Sequence, residues 1–223
     1  MENRRIAIAF LAAYVVLSAA DIVAELADQT LLPRLLPLFL MPLLAGFSWS
    51  SGPRPPIVRW VLVGLGFAWL GDSLGDPLLL KIAFFFGTQL AYCLAFRPYW
   101  RSSLLARPTA RIVYAAVLGA LVIAVSLRAS GLLAAVLVYG ASLALTVALA
   151  SGVSRLATAG ALTFLVSDLV LAYGAFIDPP AEPVVDALVM ATYLSAQLMI
   201  ALATRRVANR SRGATERAVT TRR

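Results

Sequence analysis

Two aspartates lie deep inside apolar stretches: Asp72 in Phe67-Ala-Trp-Leu-Gly-Asp-Ser-Leu and Asp168 in Phe164-Leu-Val-Ser-Asp-Leu-Val-Leu. An ionised carboxylate in hydrocarbon costs about 3 kcal/mol even on the most lenient insertion scale, so such residues face an interior cavity and act there. Each follows a small residue, Gly71 or Ser167, and each stands thirteen positions after an arginine, Arg59 or Arg155. At about 1.5 Å per residue both carboxylates fall roughly 20 Å along their helices from that arginine, at one shared depth. Two carboxyl groups held together in a partly dry cavity do not both ionise readily, because desolvation and mutual repulsion oppose it. The outcome is a protonated acid beside a carboxylate, which is an acid/base pair. A structural reading stays open at this point: each aspartate caps a broken helix, or bonds a neighbouring Ser, Tyr or Gln between helices. Tyr193 and Gln197 are four apart and share one helix face. By themselves they fit an interhelical hydrogen-bond pair as well as substrate ligands.

The elements that position these groups are dictated by composition. Of 223 residues, 61% are hydrophobic and 13% charged, with mean hydropathy +0.86. A soluble domain is nearer half apolar and a quarter charged, so the chain is an integral membrane protein. The net charge of +8 comes from basic residues that flank apolar spans, which excludes a nucleic-acid partner. The single cysteine, Cys93, allows no intrachain disulfide. Without histidine, no metal site of the usual kind is expected.

Eight stretches are long enough to cross about 30 Å of hydrocarbon: Ile6–Val23, Leu31–Trp49, Ile57–Leu74, Leu78–Phe96, Ile112–Leu127, Gly131–Ala150, Leu156–Ile177 and Val184–Ala203. Their backbone must satisfy its own hydrogen bonds in lipid, so the fold class is all-α, a polytopic bundle of eight transmembrane helices. Pro33, Pro37 and Pro42 should kink or partly unwind the second span. A tight Gly75-Asp76-Pro77 turn should join the third and fourth, and Arg128-Ala-Ser-Gly131 the fifth and sixth. Residues 1–204 form the membrane domain. Residues 205–223 read as a basic, disordered cytoplasmic tail that anchors the chain or lies on anionic headgroups. The first apolar run resembles a signal peptide but is long for one, and is taken as the first span.

Basic residues set the orientation. With eight spans, sixteen arginines fall on the side of the termini: Arg4 and Arg5 at the N-terminus, seven in or beside the loops and seven in the tail. Only Arg34, Lys81 and Arg128 fall on the other side, with the acidic Glu25, Asp28, Asp76, Asp178, Glu182 and Asp186. Both termini are therefore expected in the cytoplasm, and the plasma membrane is the expected location if the source is bacterial. The third and seventh spans run in one direction and share Phe, a small residue and Asp. The following spans carry Gln89 beside Tyr92, and Gln197 after Tyr193. This suggests a four-plus-four parallel repeat about an axis along the membrane normal.

Gly71-Asp72, the run Gly160-Ala-Leu-Thr-Phe164-Leu-Val-Ser167-Asp168, and Tyr193-Leu-Ser-Ala-Gln197-Leu-Met-Ile resemble motifs of the YhhN/TMEM86 family of lysoplasmalogenases. The resemblance covers most of the chain and implies hydrolysis of the vinyl ether bond of a lysophospholipid to a fatty aldehyde and a glycerophospho-alcohol. It places the acid/base chemistry on Asp72 and Asp168. Two departures stand out: Leu36-Pro37 replaces the family's Lys-Pro in the second span, and the family's histidine in the fourth span is missing. Both bear on the headgroup.

The implied chemistry suits the residues. Proton transfer to the alkenyl carbon gives an oxocarbenium ion; water adds, and the hemiacetal collapses to aldehyde and alcohol. A protonated carboxyl supplies the proton, and a carboxylate stabilises the cation and deprotonates water. No cofactor is needed. The substrate enters from the bilayer and membrane lipids surround the protein. Lys81 and Arg34 are candidate phosphate contacts, or cations that merely snorkel to the interface. Ser167, Gln89, Tyr193 and Gln197 are candidate substrate contacts. The competing readings are a proton-coupled small transporter using the paired aspartates, and a non-catalytic scaffold in which they tie helices together.

Overall fold

The computed structural model describes residues 2–74, 77–128, 130–176 and 183–220, and the side chains of all but 130 and 214–220. Gly75 and Asp76 of the expected turn, and the acidic Asp178 and Glu182, lie outside the described residues. The secondary structure of the described residues is all helix: α1 Glu2–Leu26, α2 Leu32–Leu35, α3 Pro37–Ser50, α4 Pro56–Leu74, α5 Leu78–Phe96, α6 Pro108–Ser126, α7 Leu133–Ala150, α8 Arg155–Phe176 and α9 Pro183–Thr220, joined by short turns. Short 3-10 turns link α5 to α6 and α6 to α7. Among the described residues seven helices are long and apolar enough to cross a membrane.

Proline writes most of the starts. It opens α3, α4, α6 and α9 and directly precedes α5, positions where its fixed φ fits and its missing N–H costs nothing. α1 stops where Asp28 takes φ 51°, and the N–H groups of Ala27, Asp28 and Gln29 turn back onto the last carbonyls.

The expected second span is where the structure differs most. It divides into α2 and α3, and α3 has only 14 residues, about 21 Å, which is short of a full crossing. Leu36 keeps helical dihedrals (φ −63°, ψ −41°), so the break is a missing donor at Pro37 rather than a loop. Pro42 likewise leaves the Leu38 carbonyl without its helical donor, and the Trp69 indole N–H of α4 donates to that carbonyl at 2.9 Å. Asn3, Arg4, Ser50 and Gly52 line one cleft, so α3 runs back antiparallel to α1. At the other end of the chain α9 continues as one helix to Thr220, through the segment expected to be a disordered tail.

α4, α5, α7, α8 and α9 pack in a closed ring, with α1 and α3 outside the α4–α9 side and α6 outside α7. Consecutive helices pack in both halves, α1–α3, α3–α4 and α4–α5 in the first and α6–α7, α7–α8 and α8–α9 in the second, but the contacts between the halves are unequal. α9 packs on α4, whereas the corresponding α5 and α8 have a cleft between them. Small residues allow the close pairs. A Cβ on Gly160 would meet Ile200, Met199 and the Ala196 carbonyl at 3.0–3.1 Å. Tyr14, Tyr92, Phe96, Phe164 and Leu65 fill the interior, while Ile8, Val16, Phe39, Ile112 and Val138 face outward, as lipid-facing residues of an integral membrane protein should.

Candidate active site

Each aspartate is held by a tyrosine from another helix. α4 presents Asp72 and α9 presents Tyr193, whose hydroxyl donates to Asp72 Oδ2 at 2.8 Å. α8 presents Asp168 and α7 presents Tyr139, whose hydroxyl donates to Asp168 Oδ2 at 2.5 Å. The carboxylates are bonded to these tyrosines, not to each other. The Lys81 ammonium of α5 acts electrostatically on both Asp72 and Asp168.

The Tyr193 ring is fixed from two sides. It meets Phe85 and Phe164 edge to face, each at 5.6 Å between centroids. Those two phenylalanines meet each other at 6.2 Å. Phe85 reaches this position because Gly71 makes room: a Cβ there would lie 2.8 Å from the Phe85 ring. The glycine before Asp72 therefore seats an aromatic ring beside the carboxylate. One turn along α9, Gln197 accepts from the Tyr92 hydroxyl of α5 at 2.5 Å. Tyr14 of α1 donates to the Leu194 carbonyl at 2.7 Å. A buried polar ladder thus backs Asp72, and it fixes α9 against α1 and α5.

Asp168 opens onto a cleft between α5, α6, α7 and α8, lined mainly by apolar side chains such as Leu118, Val122 and Leu169. Its titratable lining consists of Lys81, Tyr139 and Asp168. Asp72 is not part of that lining. Phe85 is, and it also touches Tyr193, so one ring contacts both halves of the site.

The other expected contacts divide. Gln89 is fully buried beside the Tyr139 hydroxyl, with neither amide atom in a hydrogen bond among the described residues. The Ser167 hydroxyl donates to the Val189 carbonyl at 2.9 Å, so it secures α8 to α9. Arg34 is exposed on α2, away from the cleft lining. Two residues escaped the sequence reading as site members. Tyr139 is one tyrosine in a mostly apolar helix and carries no motif. Asp21 carried the same signal as the two aspartates, an acid in an apolar run, but sits in the segment that resembles a signal peptide. It is fully buried on α1, neither carboxylate oxygen has a hydrogen-bond partner among the described residues, and its charge acts on Asp72.

Among the described residues no three His, Cys, Asp or Glu side chains are placed to hold a metal ion. The arrangement offers carboxyl groups tuned by tyrosine donors and one shared ammonium, suited to moving protons and to stabilising a cation.

No curated protein and no solved structure matched the chain. The model of the YhhN family matches residues 32–204. That stretch runs from α2 into α9 and includes both Asp–Tyr pairs, Lys81 and Gln197. The chain belongs to the YhhN family.

Proposed function

We propose that this protein is a membrane-embedded hydrolase that cleaves the vinyl ether bond of lysoplasmalogen-type lysophospholipids, releasing a fatty aldehyde and a glycerophospho-alcohol. The observation that carries the reading is an Asp–Tyr pair, Asp168 with Tyr139, set in the wall of an otherwise apolar cleft that also holds one ammonium. Family membership agrees with it. A single-chain amphiphile matches that cleft: its chain lies among the α6, α7 and α8 side chains, and its phosphate meets Lys81. Asp168, which faces the cleft, delivers the proton to the alkenyl carbon. Asp72 is held by Tyr193 behind Phe85 and outside the cleft lining; once the Phe85 ring turns aside, it stabilises the oxocarbenium ion and takes the proton from water. Both termini lie in the cytoplasm, and the substrate enters laterally from the bilayer.

Purified protein should release aldehyde from a lysoplasmalogen with no added metal or nucleotide. Asp72→Asn and Asp168→Asn keep the shapes and remove the titrating groups; loss of acid/base assistance lowers rates roughly 10²–10⁴-fold. A saturated ether analogue should bind and survive, having no alkene carbon to protonate. Intact lysoplasmalogen, together with Asp-dependent movement of protons or solute across liposomes, would replace this reading with a transporter. If neither activity appears and the Asn variants only melt earlier, the aspartates serve to hold helices together.

A further inference from the structure

We propose that the arginine-rich end of the bundle carries a binding site for a phosphate group, built by Arg205, Arg54 and Arg4 around Gly52. It lies roughly 25 Å along α4 from Asp72 and does not depend on the hydrolase reading. Two adjoining clefts open there. Asn3, Ser50, Gly52 and Arg212 line both; Arg4 lines one and Arg54 the other.

Arg205 is what separates this place from an ordinary basic rim. Arginines that only anchor a helix reach out into headgroups and water, whereas Arg205 is 3% exposed. A guanidinium stays charged in a protein and offers five N–H donors. Nη1 of Arg205 donates to the Pro53 carbonyl at 2.7 Å, while Nε and Nη2 have no hydrogen-bond partner among the described residues. Arg205 itself lines neither cleft, but its Nη2 lies 3.0 Å from where a Cβ would stand on Gly52, the residue both clefts share, with Asn209 Oδ1 3.5 Å from the same point. Gly52 also has φ 122°, a conformation that favours glycine.

Arg54 is held in the same place. Its guanidinium stacks 4.0 Å over the Trp49 ring and reaches the Trp49 carbonyl at 3.4 Å. Arg54 and Arg205 are close enough to repel. Their hydrogen bonds go to carbonyl oxygens, and among the described residues no carboxylate accepts from either. Two guanidiniums that repel, one of them buried with free donors, call for an anion with several acceptor oxygens. A phosphate matches that donor geometry, two N–H groups to two oxygens. The phosphate belongs either to the headgroup of an anionic lipid in that leaflet or to a free phosphate, and the test separates the two.

The full chain is placed in nanodiscs and its melting followed by tryptophan fluorescence. One arm uses phosphatidylcholine alone with inorganic phosphate, against chloride at equal ionic strength. The other uses phosphatidylcholine mixed with phosphatidylglycerol and no free phosphate. A ligand that binds only the folded protein raises Tm. We expect wild type to rise by several degrees in at least one arm. Arg4→Gln and Arg54→Gln, both exposed and tolerable, should lose at least half of that rise. Arg107→Gln, at the same end but outside both clefts, should keep it. Arg205→Gln should lose it entirely; if that variant does not fold, Arg4 and Arg54 decide. A rise with phosphatidylglycerol alone identifies a lipid headgroup, and a rise with inorganic phosphate identifies a site open to the free anion. No rise in either arm, or an equal rise in the Arg4, Arg54 and Arg107 variants, overturns the site.

Discussion

The Tyr193 hydroxyl is the sharpest place to test whether Asp72 does chemistry. Tyr193→Phe removes one oxygen and keeps the ring, so the contacts at 5.6 Å with Phe85 and Phe164 remain. What disappears is the 2.8 Å hydrogen bond to Asp72 Oδ2. A hydrogen bond to a charged group is worth about 1.5–3 kcal/mol, and each 1.36 kcal/mol in a barrier is tenfold in rate. If the Asp72 carboxylate acts in the transition state, Tyr193→Phe should lower kcat/KM roughly ten- to hundredfold. The assay is aldehyde release from a lysoplasmalogen by protein in nanodiscs, read by a coupled dehydrogenase. The same change in an Asp72→Asn background should cost much less, because the partner has already gone. In an Asp168→Asn background it should cost about as much as in wild type, because Asp168 bonds Tyr139 instead. Wild-type activity in Tyr193→Phe, or a cost unchanged by Asp72→Asn, would refute the assignment of Asp72 and Tyr193 as one catalytic unit.

Lys81→Gln removes a cation that acts on both carboxylates and lines the cleft; KM should rise roughly tenfold and kcat should fall, whereas Arg34→Gln should stay within about twofold of wild type. Ala172→Trp places a large ring in the cleft lining and should raise KM for long alkenyl chains while sparing short ones, as a chain-length series would show. Gly64→Ala drives a Cβ to 2.3 Å from the fully buried Tyr92 ring, so thermal melting should reveal a loss of about 1–3 kcal/mol. Reporter fusions after Arg107 and after Glu182 should report opposite sides, cytoplasmic and external; the same side for both would overturn the orientation read from the arginines.

Some of this protein is determined locally, by what each residue costs in hydrocarbon. Runs of Leu, Ala and Val must be helices, so the helix bundle and most helix limits are readable without a fold. Pro56, Pro108 and Pro183 mark starts because proline's lost N–H is harmless only in the first turn. Asp72 and Asp168 are conspicuous because a carboxylate in lipid is expensive wherever its helix goes. Partnership is not local. Tyr139 lies in Leu-Ala-Ala-Val-Leu-Val-Tyr-Gly and means nothing until α7 is set beside α8, where its hydroxyl meets Asp168. Ser167 reads as a ligand from its neighbour Asp168, yet packing turns it to the Val189 carbonyl. Arg205 counts with the other tail arginines by sequence. Only the unbroken α9, lying against the turn at Gly52 and Pro53, buries it. The cleft, the Phe85–Phe164–Tyr193 cluster and the burial of Asp21 arise the same way. They depend on which helices become neighbours, and that is chosen by glycine-sized gaps and ring shapes acting across the bundle rather than by any segment alone.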